Sequence, residues 1–449
     1  MNKMLTKLVS DAVSRVTSLQ SGTRVRVISH YDADGITAAA VLCQALYRQG
    51  YEFHASLMRN PFTKGLERIL KEKNDLVLFS DMGSGQLDFI EQFNCPCILF
   101  DHHQVVKEET KDHVLQINAN LFGWNGNYEA SGATMSYLFA EALNPDNQTL
   151  LPLALTGAIG DKQHIGGLKG LNKQLLEKAL QQDLLQPQQG MKLAEETVAD
   201  SLFYSIDPYY KGVSGQQKSI SETLKQLNIP HDASCKDLSS EQKTQLQSYL
   251  MLILVKAGVS PLILDIANRT RYYAVSLGCE LERFADLLDA CGKFGHRGLG
   301  LSLCLQEKKD WTQALQVEHD YKDKVLQALY TMEQDGVKEL AALRFFHSDN
   351  SSLGGVIGGI AMNYLLDEKK PLLSLARKDH EIHISGRGNQ QLVQQGLDLG
   401  KALQSVAKNM NGFGGGHMIA AGATIPEDKE QSFLTQVDIL LAEQLKVNT

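Results

Sequence analysis

The sequence contains no run of about 18 apolar residues, so it predicts no transmembrane helix. Its first stretch, MNKMLTKLVSDAVSRVTSLQSG, lacks the apolar block of a signal peptide. The seven cysteines are scattered and include no C-x-x-C pair, which argues against a disulfide framework or a structural zinc site. We therefore expect a cytoplasmic protein that has no membrane partner.

An excess of positive charge is also missing, because the formal net charge is −8 and the pI is near 5.9. A protein that binds nucleic acid mainly through its overall charge would be basic. If this chain acts on polyanions, it must use a local basic patch or bound cations. Its 449 residues are too many for one compact core, so two or three domains are expected.

Short apolar runs alternate with helical patterns in the N-terminal third of the chain. Strand-like runs occur at 24–28, 75–80 and 95–100, and helical patterns occur at 37–49 and 63–73. Strands that alternate with helices in this way predict a parallel sheet covered on both faces.

The character of the sequence changes twice along the chain. The region 1–190 predicts an α/β catalytic domain, 191–315 a mainly helical insertion, and 316–449 a smaller α/β domain. In the last region, helices are expected at 319–342 and 391–409. The predicted fold class is therefore α/β throughout, with a helical insertion between two α/β domains.

Acids and histidines directly follow the apolar segments of the first region. In parallel α/β sheets, ligands bind at the carboxyl ends of the strands, where such residues would meet. The residues are His30, Asp32 and Asp34 after the first strand, Asp81 after the second, Asp101, His102 and His103 after the third, and Asp161 at the end of the helical segment LPLALTGAIGD.

A single Asp at such a position is usually a helix N-cap or a turn residue. Several acids brought together would repel one another unless a cation neutralises them. A mixed Asp/His set suits Mn²⁺, Zn²⁺ or Fe²⁺ better than Ca²⁺ or an all-oxygen Mg²⁺ site. Two such ions about 3.5–4 Å apart would favour in-line displacement at phosphorus, so the sequence predicts hydrolysis of a phosphate ester or anhydride.

These motifs resemble a known family. SHYDADG, the Asp of FSDMG, DHH and the Asp of GAIGD resemble the four motifs of the DHH phosphoesterase superfamily. SGRG (385–388) and GFGGGHMIAAGA (412–423) resemble its accessory C-terminal domain. The order of all the motifs resembles the archaeal RecJ-type exonucleases.

The resemblance implies a role for each residue of the first region. It implies one metal ion bound by His30 and Asp32, and a second bound by Asp34, His102 and Asp161. Asp81 would bridge the two ions. His103 would contact the scissile phosphate, and Asp101 would orient the neighbouring histidines.

In the C-terminal region the resemblance implies a phosphate-binding site. Arg387 and His417 would hold a nucleotide phosphate, with Ser385 assisting. The backbone N–H groups of the glycine run, which includes Gly415 and Gly416, would approach the anion closely.

The function implied is that of a two-metal exonuclease on single-stranded DNA or RNA that releases 5′-mononucleotides in replication or repair. Mn²⁺ is the expected ion and Mg²⁺ the alternative. Two other functions stay open: a phosphodiesterase for short oligonucleotides or signalling dinucleotides, and a replisome subunit that binds GINS and the replication-fork helicase. The sequence does not indicate the polarity of digestion or a preference between DNA and RNA.

Overall fold

The protein is described by a computed structural model that covers residues 3–20, 22–59, 62–267, 269–305 and 310–446. The elements of the first part of the chain are α1 (Lys3–Thr17), β1 (Arg24–His30), α2 (Ala33–Arg48), β2 (Glu52–Met58), α3 (Thr63–Leu70), β3 (Leu76–Ser80), α4 (Leu87–Ile90), β4 (Cys97–Asp101), β5 (Val114–Asn118), α5 (Gly132–Leu143), α6 (Leu151–Gly160), α7 (Gly170–Gln181) and β6 (Leu185–Gln188).

The remaining elements are α8 (Val198–Phe203), α9 (Gln217–Gln226), α10 (Ser240–Lys256), α11 (Pro261–Ala267), β7 (Arg271–Ala274), β8 (Cys279–Glu280), α12 (Leu281–Lys293), α13 (Arg297–Cys304), α14 (Trp311–Asp335), β9 (Lys338–Glu339), β10 (Arg344–His347), α15 (Gly354–Tyr364), β11 (Leu372–Lys378), β12 (Glu381–Arg387), α16 (Gln390–Gln394), α17 (Leu399–Asn409), β13 (Phe413–Gly416), β14 (Ala420–Pro426) and α18 (Glu430–Leu445). Among the described residues, no helix is both long enough and apolar enough to cross a membrane.

The chain forms two compact units. The first comprises residues 1–190 and 269–318, and the second comprises residues 191–268 and 319–449. The segment 191–315, predicted from the sequence as one helical insertion, is thus divided between the two units.

The first unit contains the predicted parallel sheet. Its strand order is β2-β1-β3-β4-β5, and all four pairings are parallel. Strands β2 and β5, at the two edges of the sheet, were not predicted from the sequence. The motifs that follow β1, β3 and β4 therefore end on adjacent central strands, as expected for a site at the carboxyl edge.

Apolar residues on alternate sides of the strands explain why both faces of this sheet are covered. In β3, Leu76 and Leu78 pack into the core that contains α2, α5 and α6. The intervening Val77 and Phe79 pack into a smaller core with residues of α3 and α4. All four side chains are fully buried, which accounts for the continuous apolar run in the sequence.

The second unit contains a six-stranded sheet of order β13-β14-β12-β11-β10-β9. Only β10 and β11 pair in parallel, and the other pairings are antiparallel. The single helix predicted at 391–409 was wrong. Two helices, α16 and α17, occupy this stretch because Gly396 adopts φ 113° and Asp398 caps the second helix by accepting from the Lys401 N–H.

Candidate functional site

The loop between β1 and α2 carries three of the predicted residues. β1 ends at His30, and Asp32 is the N-cap of α2, where Oδ1 accepts from the Gly35 N–H at 3.0 Å. A side chain at Gly35 would collide with the His30 carbonyl, so this tight turn requires glycine. Capping uses only Oδ1 of Asp32, and Oδ2 lies 2.8 Å from His30 Nδ1.

The carboxylate of Asp34 is fully buried and is held by a second helix. The first two backbone N–H groups of α5, those of Gly132 and Ala133, donate to its two oxygens at 2.6 and 3.0 Å. A helix N-terminus favours negative charge and leaves these N–H groups without intrahelical partners. The sequence did not predict this contact, because Gly132 is 98 residues away in the chain.

Asp81 follows β3 in an unusual backbone conformation. Its φ of 53° places it in the left-handed region, which non-glycine residues seldom occupy. Asp81 Oδ1 lies 3.1 Å from His102 Nε2, and Asp81 Oδ2 lies 3.5 Å from His30 Nδ1. Asp81, the residue predicted to bridge two ions, therefore lies between His30 at the end of β1 and His102 directly after β4.

Asp101, at the end of β4, orients His103. Its Oδ1 accepts from His103 Nδ1 at 2.8 Å and from the His102 N–H at 2.8 Å, and its Oδ2 accepts from the Ser84 N–H at 2.9 Å. Asp101 is fully buried, whereas the side chain of His103 is 39% exposed. The contacts of Asp101 are those of a residue that fixes an imidazole.

His102 is oriented by a backbone carbonyl. Its Nδ1 lies 2.6 Å from the carbonyl oxygen of Gly126, an acceptor, so Nδ1 carries a proton and Nε2 is the nitrogen that would bind a metal ion. Nε2 lies 3.3 Å from Asp161 Oδ2 and 3.7 Å from Asp34 Oδ2. Asp161 itself is the C-cap residue of α6.

All eight first-unit residues singled out from the sequence come together at the edge of the sheet. Their ligand-type atoms form three overlapping groups, each within 4.8 Å: His30, Asp32 and Asp81; Asp34, His102 and Asp161; and Asp81, Asp101, His102 and His103. Asp81 and His102 each belong to two groups. This arrangement has the imidazole and carboxylate donors that could hold divalent cations.

The electrostatics of the cluster differ from one carboxylate to the next. Burial, reinforced by the charge of Asp81, raises the pKa of Asp34 to about 7. Burial and the charge of Asp34 also raise the pKa of Asp161 well above its ordinary value. For Asp101, burial acts in the opposite direction but is outweighed by the His103 imidazole, so its pKa is lowered. Two acids therefore favour a bound proton where a cation would otherwise neutralise them.

The histidines show the complementary shift. Burial favours the neutral imidazole, but Asp32 and Asp81 raise the pKa of His30 well above its ordinary value. Asp81 and Asp161 have the same effect on His102 against the same burial. His30 Nδ1 and Asp81 Oδ2 are buried, and neither makes a well-aligned hydrogen bond with any described residue. Imidazole and carboxylate donors buried in this way fit a divalent transition metal such as Mn²⁺.

Several supporting residues were not found from the sequence. Ser131 forms a capping box with Thr134 at the start of α5, and thereby fixes the N–H groups that hold Asp34. The pattern S-x-x-T is a weak signal for this N-terminus, because a capping box usually has Glu or Gln at the last position. Gly126 acts through its backbone carbonyl, a group that every residue has, so the sequence does not reveal this role.

The second unit brings together the predicted phosphate-binding residues. Ser385 of β12 and Gly415 of β13 both oppose the same residue of β14, Gly422. β12 and β13 run in the same direction, so Arg387, which ends β12, and His417, which follows β13, lie at the same end of the sheet.

Glycines shape the surroundings of this end of the sheet. A side chain at Gly355 of α15 would collide with the Arg387 guanidinium, and one at Gly358 would contact the aliphatic part of Arg387. Gly355 and Gly358 therefore allow α15 to pack closely against Arg387. Gly416 adopts φ 139°, and a Cβ there would lie 2.6 Å from the Cα of Ala421. This end of the sheet, which we call the rim and define as Ser385, Arg387, Gly415, Gly416 and His417, therefore combines a guanidinium with the exposed backbone of Gly416.

A parallel sheet with this cluster of acids and histidines at its carboxyl edge defines a candidate centre for divalent cations. Comparison with known families agrees with that class: residues 24–158 match the DHH family, N-terminal domain, and residues 341–443 match the DHHA1 domain. The chain belongs to the DHH superfamily of phosphoesterases.

Two curated relatives differ in how much of the chain they cover. An uncharacterized protein of Methanocaldococcus jannaschii is 29% identical over 429 residues, which is 94% of each chain. The single-stranded-DNA-specific exonuclease RecJ of Thermus thermophilus is 26% identical over 196 residues. That match covers 40% of this chain and only 28% of RecJ.

Solved structures show a similar fold. RecJ from Thermus thermophilus in complex with Mn²⁺ has a TM-score of 0.63 at 16% identity and matches 97% of this chain, which spans about half (55%) of RecJ. Another exonuclease RecJ bound to manganese has a TM-score of 0.61 at 16% identity and 94% coverage of that chain. CDC45 from Entamoeba histolytica has a TM-score of 0.66 at 14% identity, with 98% of both chains covered.

Proposed function

We propose that this protein is a metal-dependent phosphodiesterase that removes 5′-mononucleotides from the end of single-stranded DNA or RNA. The observation that carries the proposal is the set of three overlapping ligand groups joined by Asp81 and His102. One group would hold the first cation through His30 and Asp32, and another the second through Asp34, His102 and Asp161. Mn²⁺ is the ion we expect, with Mg²⁺ as the alternative.

Bound cations of this kind supply activation of water and neutralisation of charge on the phosphate. The residues of the chain contribute orientation. Asp101 holds His103 through Nδ1, and the exposed part of the His103 ring is then placed to donate to a phosphate oxygen. The backbone N–H groups of α5 hold Asp34 in its ligand orientation without a competing positive side chain.

Basic residues beside the cluster support a polyanionic substrate. The Arg59 and Arg297 guanidinium carbons lie 5.9 and 5.5 Å from the centre of the Tyr31 ring, and this ring is 4.6 Å from the ring of His30. Guanidinium groups bind phosphate, and an aromatic ring is a stacking surface for a base. This local patch would attract a nucleic acid strand despite the net charge of −8.

The rim of the second unit supports the same proposal, because Arg387, Ser385, His417 and the exposed glycine backbone provide donors for an anion. We assign this rim a role in holding a nucleotide phosphate. We also propose that the substrate-binding role of the second unit lies within residues 316–449.

The test is digestion of 5′- and 3′-labelled single strands of DNA and RNA with Mn²⁺ and with EDTA. We expect mononucleotide release only with the metal, and its loss in the Asp81→Asn variant. Asn tolerates the left-handed backbone of Asp81 and keeps the size of the side chain. Asp88→Asn, at an exposed acid of α4, is the matched control. Intact strands under conditions where a RecJ control digests them would contradict the proposal.

A series of oligonucleotide lengths separates this function from that of a short-oligonucleotide phosphodiesterase. The exonuclease should act at least as efficiently on a 20-mer as on a dinucleotide, whereas preference for two to four nucleotides would favour the alternative. Binding of GINS or of the replication-fork helicase stays a prediction. A pull-down with the organism's own GINS proteins tests it, and no co-purification at micromolar concentration would count against it.

A further inference from the structure

Gln163 is a buried side chain in the turn after α6, two residues beyond Asp161. Its Nε2 donates to the carbonyl oxygens of Gly126 at 2.9 Å and Ala130 at 3.0 Å. Its Oε1 accepts from Asn172 Nδ2 at 2.5 Å. Both amide protons and the oxygen are therefore used, and Asn172 fixes which end of the amide faces the two carbonyls.

The first of these carbonyls is the one that orients His102. The Gly126 oxygen accepts from His102 Nδ1 at 2.6 Å and from Gln163 at 2.9 Å. A carbonyl has two lone pairs, so both donors are accommodated and both lone pairs are occupied. Gly126 must be glycine here because a side chain would collide with the backbone carbonyl of His102.

The second carbonyl, that of Ala130, lies just before the helix whose N-terminus holds Asp34. Ala130 directly precedes Ser131, the N-cap of α5, and the next two N–H groups hold the Asp34 carboxylate. Gln163 also shares the turn that carries Asp161, since its own N–H donates to the Ala158 carbonyl at 3.0 Å. One side chain thus links the turn that carries Asp161 to the segment 126–133, whose backbone groups hold His102 and Asp34.

Those three residues are the members of a single ligand group, Asp34, His102 and Asp161. The group of His30, Asp32 and Asp81 has different support. Asp32 caps α2, and the next residue, Ala33, donates its N–H to Asp289 at 2.9 Å. Within the described part of the chain, the side-chain hydrogen bonds of Gln163 go to Gly126, Ala130 and Asn172, and not to the loop of His30 and Asp32.

We infer that Gln163 is a positioning residue for one of the two cation sites, the site of Asp34, His102 and Asp161, and that Asn172 acts through it. The inference rests on the metal centre proposed above. It goes further because it makes the two sites separable: loss of the Gln163 amide should loosen one ligand set and leave the other intact. A residue that only stabilised the fold would affect neither site or both sites equally.

The experiment measures Mn²⁺ binding to the full chain by titration calorimetry, with electron paramagnetic resonance of bound Mn²⁺ as a second readout. Gln163→Met keeps the approximate volume and removes all three hydrogen bonds. We expect one of the two sites to weaken about 10- to 100-fold, the usual cost of losing an outer partner of a ligand, and the other to stay within about threefold.

Gln44→Met is the matched control, because Gln44 Nε2 also donates to a backbone carbonyl in the first unit, that of Cys304, at 2.8 Å. It should bind both ions as the wild type does. Asn172→Asp provides a second variant if Gln163→Met fails to fold. An ionised carboxylate cannot donate to Gln163 Oε1, so the same site should weaken in this variant.

Wild-type Mn²⁺ affinity at both sites in a folded Gln163→Met or Asn172→Asp variant would overturn the inference. Equal weakening of both sites would also overturn it. Folding is checked by circular dichroism and thermal unfolding in EDTA. Wild-type chain that binds two ions but does not cut nucleic acid would contradict the proposed function and leave this result standing. Wild-type chain that binds no second ion would overturn both.

Discussion

The two candidate functional regions of the chain obtain their chemistry in opposite ways. In the first unit, buried carboxylates and imidazoles converge and are held by backbone groups, such as the α5 N–H groups on Asp34. In the second unit, one guanidinium, Arg387, stands beside exposed glycine backbone. The first arrangement concentrates negative charge for cations, and the second presents donors to an anion. A change in the first region should therefore affect catalysis, and a change in the second should affect substrate binding.

The largest expected effect is that of Asp81→Asn, which removes the shared carboxylate of two ligand groups. We expect kcat to fall by more than the roughly 100-fold that is typical for loss of an outer partner of a metal ligand. Steady-state kinetics on a labelled single strand measures this, with Asp88→Asn as the control. A variant that retained a tenth of wild-type kcat would show that Asp81 does not bridge the cations.

Arg387→Ala tests the other side of the comparison. A hydrogen bond to a charged group contributes about 1.5–3 kcal/mol, so we expect kcat/KM to fall about 10- to 100-fold. Most of this loss should appear in KM, because an interaction made equally in the ground and transition states affects binding alone.

Arg377→Ala is the control for Arg387→Ala. Arg377 lies in the neighbouring strand β11, and its guanidinium pairs with Glu430 at 3.1 Å. Its removal should leave the kinetics unchanged. If Arg387→Ala lowered kcat and left KM unchanged, the assignment of the second unit to substrate binding would be wrong.

The pH dependence of binding should also differ between the two regions, for cations in the first unit and for a phosphodiester in the second. The pKa of Asp34 is raised from 3.8 to about 7, so below pH 7 a proton must leave before a cation binds. For this proton alone, Mn²⁺ affinity should rise about fivefold between pH 6 and 7, and level off above pH 8. Calorimetric titrations at pH 6, 7 and 8 measure this.

The raised pKa of Asp34 also makes the stability of the fold depend on pH. An acid whose pKa is raised on folding contributes stability at low pH, and this contribution is lost as the pH rises from 3.8 through about 7. Mn²⁺ should therefore raise the melting temperature more at pH 8 than at pH 6. Binding of a phosphodiester by Arg387 should vary little over this range, because guanidinium stays charged. A melting-temperature shift that was independent of pH would contradict the account of Asp34.

The smallest expected effect concerns the glycine rim. Gly416→Ala places a Cβ at φ 139° and against Ala421, which should cost about 1–3 kcal/mol of unfolding free energy and raise KM. Gly359→Ala is the control, because a Cβ there meets no atom within 4 Å and alanine favours the helix. Denaturant unfolding measures both, and equal stability of the two variants would show that the rim does not depend on glycine.

The sequence predicted the meeting place of the cluster, for a physical reason. Each motif follows an apolar run, and the carboxyl ends of adjacent parallel strands lie at one edge of a sheet. Asp81 and His102, which directly follow adjacent strands, could therefore be placed together without knowledge of side-chain geometry. The metal-ligand roles given to them remain predictions.

The sequence did not predict the residues that hold the cluster in place. Gly126 acts through a carbonyl and Gly132 through an N–H, and neither group depends on residue type. Gln163 follows Asp161 closely, but its partners lie 33 and 37 residues away in the chain. β2 was missed because it is an edge strand whose residues are mostly half-buried or exposed, so it lacks a continuous apolar run.

The most direct test of the central claim is the anomalous diffraction of a crystal of this protein grown with Mn²⁺. The account predicts two peaks in the first unit, one among His30, Asp32 and Asp81 and the other among Asp34, His102 and Asp161, with Asp81 adjacent to both. A single peak, or peaks outside these groups, would contradict the two-cation site on which the proposed activity rests.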